Sequence, residues 1–270
     1  MPSLILLPFE PSRDGFAFRN AFSWTETDLT FLAQQYRTLT SGAVGLVGAL
    51  GGGVVGGPLG GLLGAGAAGA FGRAGVADGL LRSAVQRWPS FGLCGGMALT
   101  AIERWPGTDR VPTSALELEP MRALLWRRQQ RTLDASLSTF ARFWARVRFM
   151  PGNVPHAPFA QDLCRQLDRI QHTLSGGRPA LIGLVGDAPD PFALHQVVVF
   201  GIERRGEVSA TLSVYDPNAP GQTRHIVTRP APDRRRTCLT TDMPTGPMPT
   251  GRHHISTRAG ELSHLFQIDI

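Results

Sequence analysis

Residues 195–218 read HQVVVFGIERRGEVSATLSVYDPN. Apolar, mostly β-branched residues from Val197 to Ile202 give way to Arg, Gly, Glu and Ser, and then to the alternating ATLSVY ahead of Asp216-Pro217. β-Branched and aromatic side chains suit a pleated, half-buried surface, and the charged, Gly-containing gap is a turn signal, so the stretch predicts two strands of a hairpin. Outward from it, ALIGLVG (180–186), QTRHIVT (222–228) and SHLFQIDI (263–270) are further short apolar or alternating runs set apart by Gly, Pro, Asp and Asn. Together they predict a mostly antiparallel sheet over residues 179–270. Residues 230–251, PAPDRRRTCLTTDMPTGPMPTG, show no periodicity and many prolines, and predict a long loop over that sheet.

Upstream the period changes to that of helices. Residues 94–105 place Met97, Ala98, Ala101 and Ile102 at helical spacing, closed by Pro106-Gly107. Residues 117–150 are rich in Leu, Phe, Trp and Arg and predict two helices, with Thr132 as one candidate for the break. Residues 159–174 repeat the pattern through Leu163, Leu167 and Ile170 and stop at Ser175-Gly176-Gly177. Residues 25–40 and 75–88 carry less regular helical patterns. Helices first and sheet second predict an α+β fold. The expected division is an N-terminal segment (1–41), a Gly-rich insert (42–72) and one domain over 73–270, helical over 73–178 and sheet over 179–270.

The insert is the oddest part of the chain. Ser41 to Gly72, SGAVGLVGALGGGVVGGPLGGLLGAGAAGAFG, holds no charged residue, and Gly48, Gly52, Gly56, Gly60 and Gly64 recur every four positions. On a helix such a row forms a strip where another backbone approaches closely, as in membrane helix pairs, and the length suffices for one tilted span. The glycines and Pro58 oppose a stable helix. Two readings stay open: a membrane-interacting helical hairpin, and a buried or flexible insertion.

The chain of 270 residues has 42% hydrophobic content, ordinary for a protein with a core. All 27 basic residues are Arg, and the formal net charge is +6. Arginine suits anionic partners, but compositional bias explains the same count. The charges are scattered and lack interleaved aromatics, so no nucleic-acid partner is expected. Cys94, Cys164 and Cys238 have no CxxC spacing, which argues against a disulfide framework or zinc site. His253-His254 would point to opposite faces of a strand, and no phosphate-loop pattern is present. No metal or cofactor is expected. The N-terminus shows no secretory signal pattern, so a cytoplasmic protein is expected, with delivery by another route or membrane association through residues 42–72 left open.

The sharpest chemical signal is FGLCGGM (91–97), a thiol at a turn followed by Gly-Gly and an apolar helix. A helix N-terminus favours thiolate and aims free N–H groups at a developing oxyanion. Alone, Cys94 fits a small buried residue in a tight turn equally well. His195 opens one strand and Asp216 ends the next, 21 residues later. If the register brings them together, the carboxylate orients the imidazole and the imidazole activates the thiol. Asp-Pro-Asn is also a plain turn.

CGGM, then HQV opening a strand, then YDPN, in that order, resembles the papain-like cysteine peptidase superfamily, in a bacterial branch near the bacteriocin-processing peptidases. GFAFRNAF (15–22) and RRQQRTLDASL (127–137) are similar to parts of the same branch. The resemblance implies a papain-like fold in which Cys94 is the nucleophile, His195 the base and Asp216 the orienting acid. Asn218 is the fallback orienter. The family's oxyanion Gln, a few residues before the Cys, has no counterpart here. Gln86 is the nearest Gln, and Asn20 a more remote candidate. The expected function is a cysteine hydrolase acting on a protein or peptide through a thioester acyl-enzyme. The alternative is a membrane-active or protein-binding effector that keeps the scaffold and works through its Gly-rich segment.

Overall fold

A computed structural model describes residues 3–30, 90–105, 107, 118–149, 156–186, 194–230, 237–241 and 261–270. The Gly-rich insert, Gln86 and the His253-His254 pair lie outside these residues. The elements in chain order are β1 (Ser3–Leu6), α1 (Pro11–Asp14), β2 (Phe22–Ser23), β3 (Ser90–Phe91), α2 (Cys94–Arg104), α3 (Leu118–Phe149) and α4 (His156–Ser175). They continue with β4 (Ala180–Gly186), β5 (Leu194–Arg204), β6 (Ala210–Tyr215), β7 (Thr223–Pro230), β8 (Thr237–Thr241) and β9 (Glu261–Gln267). The fold is α+β, with long helices before residue 179 and an antiparallel sheet after it. No helix among the described residues is long and apolar enough to cross a membrane.

Every strand pair is antiparallel, and the pairings β5-β4-β9-β8-β7-β6 return to β5, closing a six-stranded ring. Closure removes exposed strand edges. Along one side, β5 pairs with β4 through Leu194–Val199 and then with β1 through Gly201–Arg204, while β6 occupies its other side. Register shifts fall between Val199 and Gly201 and between Val185 and Gly186, where bulges let a sheet bend. The long loop expected over 230–251 is corrected in part: TCLTT forms β8, between β7 and β9. Its Thr and Leu residues have the β-branched and apolar character of a strand, which the flanking prolines obscured. SLIL near the N-terminus, unassigned from sequence, forms β1.

Val197 and Val199 join a core with Leu163, Leu167, Ile170 and Leu174 of α4, whereas Val198 and Phe200 join a second core with Ala98 and Ala101 of α2 and Phe143 of α3. Strand β5 is thus covered on both faces, which explains a continuous apolar run in place of alternation. Burial of each such valine contributes about 1.5–3 kcal/mol.

The helix break expected at Thr132 is absent, and α3 runs uninterrupted for 32 residues. The Thr132 hydroxyl donates to the Gln129 carbonyl 2.8 Å away, so it is satisfied inside the helix. The Gly-Gly after Cys94 permits close packing of α2 on α3. A Cβ on Gly96 would lie 2.3 Å from the Leu125 carbonyl oxygen, and one on Gly95 would lie 2.1 Å from Gln196 Oε1 and 2.3 Å from Thr132 Oγ1.

At the start of the helical turn over residues 26–30, Thr25 and Asp28 form a reciprocal cap. Thr25 N and Oγ1 donate to Asp28 Oδ2, and Asp28 N donates to Thr25 Oγ1. Asp28 is fully buried and also accepts from the Arg122 guanidinium and from Trp126 Nε1 at 2.7 Å. Burial works to raise its pKa, but the bonds from Arg122, Trp126 and Thr25 outweigh it and hold the carboxyl below its usual range. Arg122 reaches on to the Ser23 carbonyl at 2.7 Å, pinning β2 to α3. Asp28→Ala strands a buried guanidinium and is expected to lower the unfolding free energy by about 3–5 kcal/mol. Urea melts measure this, and a midpoint equal to that of the unsubstituted chain refutes the pinning role.

Candidate functional site

Cys94 opens α2 behind Leu93, which caps the helix with no side-chain bond. The first-turn amides find partners elsewhere. Leu93 N donates to Asn20 Oδ1, Gly96 N donates to Gln129 Oε1 at 3.0 Å, and Met97 N donates to the Leu93 carbonyl at 2.9 Å. The amides of Cys94 and Gly95 are left without an acceptor among the described residues. Two unspent donors at a helix N-terminus therefore sit beside the one partly exposed thiol of that turn.

His195 lies near the start of β5, opposite Leu184 of β4, and only 8% of it is exposed. Its Nε2 is 2.7 Å from Asp216 Oδ1, and Cys94 lies close enough to the ring for its thiol to favour the charged imidazole. Asp216, fully buried, directly follows β6. Its Oδ1 also accepts from Asn218 N at 2.8 Å, and its carbonyl accepts from Ala219 N. Asp-Pro-Asn thus forms a turn, and the same Asp216 carboxylate bonds the His195 ring. Antiparallel β5–β6 pairing, with Val198 opposite Tyr215, brings the two strand ends together.

A chain of bonds decides which end of each amide faces the imidazole. Leu93 N–H can only donate, so it fixes the acceptor end of Asn20. Asn20 Nδ2 then donates to Asn218 Oδ1 at 3.2 Å, which turns Asn218 Nδ2 toward His195 Nε2 at 3.4 Å. A donor cannot accept the ring proton. Asp216 is therefore the acceptor, Nε2 carries hydrogen, and Nδ1 is left for Cys94.

Of the residues singled out from sequence, Cys94, His195 and Asp216 come together. Asn218 lies beside the ring as a donor and not as a substitute orienter. Asn20 lies at the site, its oxygen on Leu93 N and its nitrogen on Asn218. Backbone pairing carries it there: β2 pairs with β3 at Phe22–Phe91 and Ser23–Ser90, and Asn20 N donates to the Pro217 carbonyl at 3.0 Å. Gln129, Thr132 and Gln196, which back the first turn of α2, are not among the site residues expected from sequence: Thr132 is read there only as a helix break, and Gln129 lies in the RRQQRTLDASL run that carries part of the resemblance.

No family model matches this chain, and no curated protein or solved structure matches it either.

Burial works to lower the pKa of His195, but the charge and hydrogen bond of Asp216, together with the Cys94 thiol, outweigh it and push it up to about 10. A cation held more tightly in the folded state stabilises the fold fully below its unfolded pKa of 6.5, and that stabilisation is lost as pH rises through about 10. The urea midpoint is therefore expected to fall steadily across that window. In Asp216→Asn, which lacks the charge that supports the cation, the fall should be markedly smaller. Parallel slopes for the two chains refute the coupling.

Proposed function

We propose that the protein is a papain-like cysteine hydrolase whose nucleophile is Cys94, with His195 as base and Asp216 as orienter. One observation carries this reading: a buried imidazole whose Nε2 is 2.7 Å from a buried carboxylate lies beside a thiol at a helix N-terminus. An antiparallel closed sheet that presents the base, with the nucleophile helix packed on it, supports the papain-like assignment.

The chemistry follows from the arrangement. With the thiol proton resting on the His195 imidazolium, the Cys94 sulfur attacks as thiolate the carbonyl carbon of an amide, thioester or isopeptide. Negative charge gathers on the carbonyl oxygen, where the unspent amides of Cys94 and Gly95 are the donors at hand. The imidazolium then gives its proton to the leaving amine or thiol, and a thioester to Cys94 remains. His195 next takes a proton from water, which attacks the thioester and releases the acid with the thiol restored. Asp216 keeps its charge throughout and holds the ring in the tautomer that serves both half-reactions.

The test is labelling by an acylating or haloacetamide probe at mildly acidic pH, where ordinary thiols, with pKa about 8.5, are mostly protonated. Labelling is expected at Cys94 ahead of Cys164 and Cys238. It should vanish in Cys94→Ala and fall on the order of 100-fold or more in His195→Ala. Unchanged labelling of the Cys94→Ala chain sinks the assignment.

A further inference from the structure

Asn20 makes three bonds from one residue, to two different walls of the site. Its Oδ1 accepts from Leu93 N, directly before the nucleophile. Its backbone N donates to the Pro217 carbonyl, and its Nδ2 donates to Asn218 Oδ1, both directly after the orienting acid. The neighbouring Arg19 Nε adds a bond to the Asn218 carbonyl at 3.3 Å. A Cβ on Gly92 would lie 2.7 Å from Asn20 Nδ2, so the nucleophile turn is shaped to admit this side chain. Asn20 reaches the site from 73 residues before Leu93 and 198 before Asn218.

We infer that Asn20 is a positioning residue: it fixes the orientation of the Asn218 amide and so reserves the acceptor place at His195 for Asp216. This rests on the triad reading and adds to it. Asn218 Nδ2 is 3.4 Å from the ring nitrogen. Rotation of that amide by half a turn would present its oxygen there, and Asn218 would become an orienter in place of Asp216. Asn20 opposes the rotation because its own amide is held in one sense by a backbone N–H that can only donate. An acid and a carboxamide within reach of one imidazole are thereby kept in different roles.

The inference predicts a rescue that loss of packing cannot produce. In Asp216→Ala, the ring faces only the donor end of Asn218 and has no orienter. When Asn20→Asp is added, the new carboxylate still accepts from Leu93 N but opposes Asn218 Oδ1, so the Asn218 amide turns over and its oxygen meets the ring.

The readout is the rate of Cys94 alkylation by iodoacetamide as a function of pH, followed by peptide mapping on full chains whose fold is checked by circular dichroism. Asp216→Ala is expected to lose on the order of tenfold or more at pH about 6, the value of a charge-assisted bond to the ring. The Asn20→Asp/Asp216→Ala chain should regain several-fold of that loss, and further addition of Asn218→Ala should abolish the gain. A double variant no faster than Asp216→Ala overturns the inference. If Asp216→Ala does not fold, Asn20→Ala decides the matter: its rate at the same pH should fall on the order of tenfold with melting still cooperative, and a rate equal to the unsubstituted chain overturns the inference. An unsubstituted chain whose Cys94 reacts only as an ordinary thiol, with a profile rising near 8.5, overturns the triad reading itself and the inference with it. The two failures are thus told apart by the unsubstituted chain.

Discussion

Strand β5 is hydrogen-bonded to three other strands and buried on both faces, and the rest of the molecule is arranged around that double burial. Its one side is shared between β4 and β1 and its other side is taken by β6, so its backbone polar groups are satisfied along nearly its whole length. Its side chains alternate between two cores, one with α4 and one with α2 and α3. A strand so held cannot slip by one residue without sending an entire face into the wrong core. The position of His195 at its start is fixed with the same strictness. The geometry of the His195–Asp216 pair at this end of the sheet is a by-product of register in its interior.

The charges at the site are arranged so that desolvation, which opposes a buried imidazolium, loses to a neighbouring carboxylate that cannot itself reach water. Low local dielectric strengthens the pair and raises the cost of leaving either partner alone. A second buried pair, Asp28 with Arg122, stands behind β2 and ties it to α3. The first pair spans 21 residues within the β5–β6 hairpin, and the second spans 94. Between them, the segment holding Asn20 is tied to α3 and to the end of that hairpin. Tyr215, packed on Phe9, accepts from Phe16 N at 3.0 Å through its hydroxyl, and burial pushes its pKa up. Phe16, Asn20 and Phe22 are fastened in turn along one strap that crosses from the turn after Asp216 to the turn before Cys94.

Much of this was legible in local pattern. The apolar runs of β4 to β7 and β9, the helix after Cys94 and the stop at Ser175 follow from residue type and period, because strands and helices bury different spacings. Where reading failed, the reason is specific. Thr132 looked like a break, yet its hydroxyl bonds backward within α3 and its exposed surface is nil, so packing overrode propensity. TCLTT was hidden between prolines and arginines that belong to its flanks. Ring closure could not be read at all, since it rests on β5 pairing with β6 while β8 joins β7 to β9.

By itself, the sequence determined the α+β order of elements, the thiol at a helix start, and the placing of His195 and Asp216 at strand ends, because each is a matter of neighbours within one or two turns or one strand. Only the tertiary structure decided that Gly95 and Gly96 serve the crossing of α2 on α3, that Asn20 lies beside His195 and Asp216, and that Asp216 and not Asn218 presents an acceptor to the imidazole. The physical reason is the same in all three. The oxygen and nitrogen of an amide, or the room beside a glycine, are told apart only by what a distant segment brings against them, and here Leu93 N–H settles the orientation of two amides before the ring is reached.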